Sequence, residues 1–207
     1  MPSYFSKTSR LGRVNTGSVA QRLADTPGVA RTILDAARAA RGMAGADPRA
    51  MSHSWLFTGP PGSGRSLAAL DFAAALMCTD PEEPGCGRCE ACQAVLGAKQ
   101  HTDLVLVDPQ EVIIPVDTVR EVIGRAASLP TVAPWRVVIF NNADRLTNNG
   151  ANALLKTVEE PPARTVIIMC APSDAPEDFS QTLRSRCRHL YIPSPSVESI
   201  TAQLVSE

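Results

Sequence analysis

Three features are scarce in this 207-residue sequence: aromatic side chains, long apolar segments and net charge. Aromatic residues make up only 4% of the chain, so we expect an aliphatic core. No apolar run approaches the roughly 20 residues that span a bilayer, and the N-terminus lacks the apolar segment of a secretory signal, so we expect a cytoplasmic protein without a membrane partner. The net charge of -1 argues against nucleic-acid binding through overall charge, although residues 1–50 carry eight basic and three acidic groups, a net of +5.

The length and the order of apolar segments predict one α/β domain with a small appendage. Short apolar strands that alternate with helices are typical of a parallel sheet covered by helices on both faces. We expect the domain to cover residues 18–192, preceded by a disordered extension over residues 1–17 that is rich in Ser, Thr, Gly and Arg. Residues 193–207 carry the pattern of one more helix, at 197–206, which we interpret as the start of a second, helical domain.

The predicted elements follow from apolar periodicity and from capping residues. Five strands are expected, at residues 54–58, 104–107, 136–140, 165–170 and 189–192. Helices are expected after the N-caps Thr26 and Thr147, and at residues 66–77, 117–128 and 176–184.

A glycine-rich turn follows the first predicted strand and opens a helix, which is the setting of a phosphate-binding loop. It reads Gly-Pro-Pro-Gly-Ser-Gly-Arg-Ser, with glycine at Gly59, Gly62 and Gly64. Glycines let backbone N–H groups surround a phosphate, and the hydroxyl of Ser66 is placed to reach magnesium. However, Arg65 stands where the motif requires lysine, and the planar guanidinium does not replace a compact ammonium. A turn without a ligand is the alternative, and whether ATP or ADP binds here stays open.

The third predicted strand ends without the carboxylates that ATP hydrolysis requires. In phosphate-loop nucleotidases an acidic residue at this place holds magnesium, and a second one can activate water. Here Asn141 and Asn142 occupy both positions. An amide is not a general base near neutral pH and does not neutralise the charge of magnesium. We therefore predict no intrinsic ATP hydrolysis.

Four of the six cysteines lie close together, at Cys78, Cys86, Cys89 and Cys92. Four thiolates at this spacing are typical of a tetrahedral zinc site, and a site with no open position is structural rather than catalytic. Free thiols, disulfides and an iron–sulfur cluster are the alternatives.

A second notable segment holds three arginines at the end of the last predicted helix: Arg184, Arg186 and Arg188. Arginines in this position favourably interact with the carbonyl groups at a helix C-terminus, and this interpretation is preferred for Arg184 and Arg188. For Arg186 it is one of two possibilities.

Taken together, these motifs resemble the bacterial clamp-loader subunits of DNA polymerase III, from about residue 19 to residue 207. The resemblance is carried by the phosphate loop, the four cysteines after its helix, His101-Thr-Asp103, Ala153-Leu-Leu-Lys156 with Glu159-Glu-Pro-Pro162, and Ser185-Arg186-Cys187. The gamma and tau motor subunits of this family keep the loop lysine and an Asp-Glu pair. Arg65, Asn141 and Asn142 instead make this chain similar to the non-hydrolysing delta′ members.

The resemblance implies an AAA+ phosphate-loop domain in a hetero-pentamer with gamma/tau and delta subunits, which loads the sliding clamp on primer–template DNA. It further implies that Arg186, within the Ser185–Cys187 motif, is an arginine finger supplied in trans to a neighbouring ATPase subunit. The chain would then lack ATPase activity itself while serving a DNA-directed DNA polymerase, a nucleotidyltransferase holoenzyme. Residues 193–207 would begin the helical lid domain, with the rest of the lid and the collar absent.

Two other hypotheses remain at this point. The first is an ATP-hydrolysing motor of the gamma/tau type, against which positions 65, 141 and 142 argue. The second is a zinc-stabilised nucleic-acid-binding module, which is disfavoured because residues 51–207 carry a net charge of -6 and the cysteines lack neighbouring aromatic residues.

Overall fold

The computed structural model describes residues 16–109 and 111–194 and is built on a five-stranded parallel sheet. The strands are β1 (Ser54–Thr58), β2 (Leu104–Val107), β3 (Arg136–Phe140), β4 (Thr165–Ala171) and β5 (Arg188–Tyr191). Their order across the sheet is β2-β3-β4-β1-β5. The prediction of a five-stranded parallel α/β fold is confirmed, with strand bounds that shift by at most one residue at β4 and β5.

Both faces of the sheet are covered, as the continuously apolar strands predict. Successive side chains of a strand point to opposite faces, and Val137 and Ile139 of β3 pack in one core cluster while Val138 and Phe140 pack in the other. The first cluster is completed by α1 (Val19–Arg22), α2 (Pro27–Ala40), α3 (Arg65–Met77) and α4 (Glu90–Leu96). The second is completed by α5 (Val116–Ala126), α6 (Asn148–Glu159) and α7 (Gln181–Arg184).

Capping residues fix where several helices begin. The side chain of Thr147 accepts a hydrogen bond from the backbone N–H of Gly150, which confirms it as the N-cap of α6. Thr26 also precedes its helix, but its hydroxyl donates backward to the Leu23 carbonyl, so the start of α2 depends on Pro27 at the first helical position.

The predicted helix at 176–184 is wrong over its first half, because only Gln181–Arg184 is helical. The hydroxyl of Ser173 donates to the Asp178 carboxylate at 2.6 Å, and the Asp178 N–H donates to the Ala175 carbonyl at 3.0 Å, so this stretch forms turns. The helices α1 and α4 were not predicted, although Ser18 and Gln21 form a capping box at the start of α1. The predicted final helix and residues 1–15 of the predicted extension lie outside the described residues.

Among the described helices, none combines the length and the apolar character needed to cross a bilayer.

Candidate functional site

The glycine-rich loop, residues 59–64, joins the end of β1 to the start of α3. Gly62 and Gly64 adopt φ angles of 82° and 83°, in the left-handed region that favours glycine, and Gly64 is the N-cap of α3. At Gly59 a side chain has no room, because a Cβ atom there would collide with the Ile192 carbonyl oxygen and lie 2.5 Å from Ser63 Oγ. The loop therefore has the strand-turn-helix geometry that the sequence predicts, with Ser66 at the second position of the helix.

Arg65 turns back onto this loop. Its Nη1 atom donates to the backbone carbonyls of Gly59 at 2.8 Å and Pro60 at 3.1 Å. A guanidinium held by these carbonyls is not extended toward a ligand in front of the loop. The Arg65 side chain therefore donates hydrogen bonds to its own loop.

Three buried polar atoms at this edge of the sheet have no hydrogen-bond partner among the described residues: Ser63 Oγ, Arg65 Nε and Asn141 Oδ1. Buried polar atoms are ordinarily paired, so unpaired atoms in the loop and at the end of β3 fit a site that receives a polar group. The loop thus suits an anion or a nucleotide phosphate in its backbone geometry, while its arginine is committed to the loop itself.

The end of β3 carries amides in place of carboxylates. Asn141 is buried, and its N–H donates to the Val107 carbonyl at 2.9 Å. Asn142 follows with φ 53°, a left-handed conformation that asparagine tolerates, and starts a short 3-10 turn. Asp144 lies in that turn with an exposed side chain. The first acidic side chain after β3 is therefore in a solvent-exposed turn.

The four clustered cysteines come together as predicted, in a module that spans residues 78–92. Their Sγ atoms all lie within 4.8 Å of one another, with Cys89 Sγ 3.8 Å from Cys78 Sγ. For comparison, a zinc ion with bonds of about 2.3 Å to four thiolates sets its sulfur atoms about 3.8 Å apart. None of the six cysteines forms a disulfide. The donor set therefore fits a tetrahedral metal ion.

Backbone N–H groups support the sulfur atoms. The Cys89 N–H donates to Cys86 Sγ at 3.4 Å, and the Cys92 N–H donates to Cys89 Sγ at 3.5 Å. The tight turns that allow this contain Gly85 and Gly87, with φ angles of 75° and 73°. A hydrogen bond from the Cys92 thiol is the main cause that lowers the pKa of Cys78 to about 4. The thiolate, which is the form that binds metal, is therefore favoured at Cys78, whereas burial raises the pKa of Cys86 and the hydrogen bond with Cys78 raises that of Cys92.

The module also holds the start of the described chain. The Thr16 hydroxyl donates to the Gly87 carbonyl at 2.9 Å, and the Val19 N–H donates to the Gly85 carbonyl at 2.8 Å. A Cβ atom at Gly87 would collide with the Gly17 carbonyl. Thr16 and Gly17, which the sequence assigns to the disordered extension, therefore lie against the cysteine module.

Arg186 lies between α7 and β5, partly exposed, at the edge of the second core cluster. Its Nε donates to Glu159 Oε1 at 2.5 Å, and its Nη1 donates to the Thr182 carbonyl at 2.8 Å and to Ser185 Oγ at 3.1 Å. The contact with Thr182 is a helix C-terminal contact, as one of the two sequence interpretations expects. The Nη2 atom has no hydrogen-bond partner among the described residues.

Cys187 differs from Arg186 in its surroundings. Its thiol is buried in the second core cluster, and burial raises its pKa to about 12. Neutral at physiological pH, Cys187 anchors the segment from within the core, while the guanidinium of Arg186 lies outside.

The interpretation as a helix-end cation fits Arg184, which is the last residue of α7, but it is wrong for Arg188, which is the first residue of β5. Arg184 Nε donates to Asp174 Oδ2 at 3.0 Å. The Nη1 atom of Arg188 donates to the Arg49 and Ala50 carbonyls at 3.0 and 2.7 Å, in the segment that precedes the neighbouring strand β1. Asp174 lies 10 residues before Arg184, whereas Arg49 lies 139 residues before Arg188, and helix-end reasoning considers neither partner.

Asp103 was noticed in the sequence as part of a motif, without a role. It is fully buried and accepts hydrogen bonds from the N–H groups of Thr131, Val132 and Ala133, each at 2.8 Å, and from Arg136 Nη2 at 3.0 Å. These donors hold the loop that leads into β3. Its role is structural, and the only sequence signal was an aspartate directly before an apolar strand.

Comparison with known proteins gives a consistent result. A family profile described as "DNA polymerase III, delta subunit" matches residues 44–196. The DNA polymerase III subunit delta′ of Pseudomonas aeruginosa is 37% identical over 147 residues, which cover 70% of this chain and 44% of that protein. The delta′ subunit of Escherichia coli is 35% identical over 153 residues, covering 72% of this chain and 45% of that protein. The gamma/tau subunit of Mycobacterium tuberculosis is 33% identical over 166 residues, which cover 78% of this chain and 28% of that protein.

Among solved structures, a gamma subunit-related protein of Thermotoga maritima superposes with a TM-score of 0.55 and 22% identity, covering 74% of this chain and 44% of that one. This likeness concerns the fold alone. The chain spans about half the length, or less, of the relatives it matches. Because the family profile covers most of the sequence, the chain belongs to the DNA polymerase III delta-subunit family.

Proposed function

We propose that this chain acts as a non-hydrolysing delta′-type subunit of a bacterial DNA polymerase III clamp loader. Its partners are then gamma/tau and delta subunits in a hetero-pentamer, and it reaches the sliding clamp and primer–template DNA through that complex. Family membership and the delta′ relatives from Pseudomonas aeruginosa and Escherichia coli support this role.

The observation that carries the proposal is the pair of amides at the end of β3. Hydrolysis of ATP requires a carboxylate to hold magnesium and a base to orient water. Asn141 and Asn142 provide neither, and Arg65 donates to the carbonyls of its own loop. A nucleotide in the glycine-rich loop would therefore be held without being turned over.

Arg186 is proposed to act in trans, at an ATP site of the neighbouring subunit. An arginine finger stabilises the transition state at the ATP site of a neighbouring subunit, so it can function even where the chain's own catalytic carboxylates are missing. Support comes from its partial exposure and from an Nη2 end that no described residue engages. In this scheme Ser185 accepts from Nη1, and Cys187 anchors the backbone in the core.

Zinc is proposed as the ion of the cysteine module. Cys78, Cys86, Cys89 and Cys92 would fill all four tetrahedral positions, which leaves none for water or substrate. When bound, zinc supplies a structural cross-link between the end of α3 and the start of α4.

The first experiment measures phosphate release by the purified full chain with magnesium and ATP. We expect no release above the buffer rate, and the same result for Ser66→Ala. Magnesium-dependent turnover that is lost in Ser66→Ala would instead support a gamma/tau-type motor, the second candidate, which 33% identity to gamma/tau subunits favours.

The second experiment measures single-turnover ATP hydrolysis by a reconstituted clamp loader. Loss of an arginine finger slows its site by about 10³-fold or more, so Arg186→Ala should convert one kinetic phase into a very slow one. Arg120→Ala is the control, because that exposed arginine pairs with Asp117 on the surface of α5. Unchanged kinetics in Arg186→Ala would refute the assignment.

A further inference from the structure

We infer that Glu159 is the positioning residue of Arg186: it fixes the orientation of the guanidinium before a neighbouring subunit presents its phosphate. This inference rests on the proposed function of Arg186 and goes beyond it, because it assigns a role to a residue on a different element.

Acceptors contact the guanidinium at two of its three nitrogen atoms, Nε and Nη1. Glu159 Oε1, at the end of α6, accepts from Nε at 2.5 Å. The Thr182 carbonyl and Ser185 Oγ accept from Nη1 at 2.8 and 3.1 Å. Because the guanidinium is planar and its donors lie in a fixed fork, these contacts determine where Nη2 points.

The negative charge of Glu159 does not stabilise its own helix. It is the last residue of α6, where the carbonyl groups of the helix end repel a negative charge. Glu160, the next residue, is equally acidic and exposed, yet of these two glutamates it is Glu159 that forms the ion pair with Arg186. The contact with Arg186 is therefore the feature that distinguishes these two adjacent glutamates.

The pair itself adds little to folding stability. The side chains of Arg186 and Glu159 are 36% and 46% exposed, and ion pairs this accessible are screened by water and salt. Loss of the contact should therefore leave the fold intact and act on the finger, which makes a functional effect separable from a structural one.

The expected benefit is a reduced entropic cost. A free arginine side chain samples many rotamers, and ordering it at a phosphate costs an amount that corresponds to about a tenfold change in rate. With Glu159 in place, part of this ordering is complete before the subunits meet. The effect should appear in the rate of the chemical step and not in the affinity of the neighbouring site for ATP.

The test uses the reconstituted loader and single-turnover hydrolysis at the phase that depends on Arg186. Glu159→Ala should slow this phase about tenfold at unchanged half-saturating ATP. Glu159→Gln keeps an oxygen acceptor without the charge and should restore most of the rate. Glu160→Ala is the matched control, since it removes the same charge from the same helix end, and it should behave as wild type.

Two results would overturn the inference. A rate in Glu159→Ala equal to that of wild type would mean that the contact does not orient the finger. A faster rate would mean that Glu159 restrains Arg186 instead. Both differ from failure of the proposed function, in which Arg186→Ala itself leaves the rate unchanged.

Discussion

Replacement of Asp103 by alanine should destabilise this domain more than any surface change. Asp103 is fully buried, and its partner Arg136 has only 7% of its side chain exposed. Alanine would leave this guanidinium without its counter-ion and would leave the N–H groups of Thr131, Val132 and Ala133 without an acceptor.

The expected loss of stability in Asp103→Ala can be estimated from the buried ion pair between Asp103 and Arg136 alone. Removing one partner of a buried ion pair costs about 3–5 kcal/mol, against a total stability of about 5–15 kcal/mol for a domain. For a domain of this size such a loss lowers Tm by about 6–20 °C. Asp103→Asn, which keeps the shape and one acceptor oxygen, should fall between alanine and wild type.

Urea unfolding monitored by circular dichroism would measure the change. We expect a lower midpoint at an unchanged m-value. Asp117→Ala is the control, since Asp117 and Arg120 are 87% and 68% exposed and their pair contributes less than about 1 kcal/mol. A stability of Asp103→Ala within about 1 kcal/mol of wild type would refute the reasoning.

The same residue gives a prediction about pH. Burial alone would raise the pKa of Asp103, but the backbone donors of Ala133, Thr131 and Val132, together with Arg136, outweigh it and lower the pKa. A pKa that is lower in the folded state stabilises the fold above the unfolded value of about 3.9, and this contribution is lost as pH falls through the folded value. The difference between wild type and Asp103→Ala should therefore narrow below about pH 4.

Three further predictions concern other parts of the molecule. Native mass spectrometry should find one zinc ion per chain, and Cys92→Ser should lower its occupancy and reduce stability by several kcal/mol; full stability without metal would contradict a structural site. The thiols of Cys170 and Cys187, whose pKa values burial raises to about 12, should not react with a thiol reagent at pH 8 until the chain unfolds; labelling of the folded protein at either position would contradict this. Gly59→Ala should lower the free energy of unfolding by about 1–3 kcal/mol, because the added Cβ would collide with a backbone carbonyl. Gly28→Ala is the control, since a Cβ there meets open space and should leave stability unchanged or raise it. Equal stabilities of the two variants would show that position 59 is not crowded.

Sequence reasoning reached the sheet because each strand is a short apolar run bounded by polar residues. It located β1, β2 and β3 at their observed bounds. It missed α4, which has only seven residues and whose N-cap is Cys89, a residue that the sequence presents as a metal ligand. The strand order depends on contacts between segments far apart in sequence, and no local pattern encodes it.

In the candidate site, too, features encoded by neighbouring residues were predictable and contacts between distant residues were not. The cysteine cluster was predictable because its ligands lie within 15 residues of one another. The partners of the arginines were not: Arg186 meets Glu159 across 27 residues, and Arg188 meets the carbonyl of Arg49 across 139. Arg65 was suspected from the motif, but only the structure shows that it bonds to its own loop.

The most direct test is a structure of the assembled clamp loader containing this subunit, bound to ADP and a mimic of the transferring phosphate. We predict that Arg186 lies at hydrogen-bond distance, about 2.7–3.2 Å, from the mimic in the adjoining subunit. An Arg186 that faces away from every adjoining subunit, or a metal–nucleotide held by a carboxylate in this chain's own glycine-rich loop, would contradict the account.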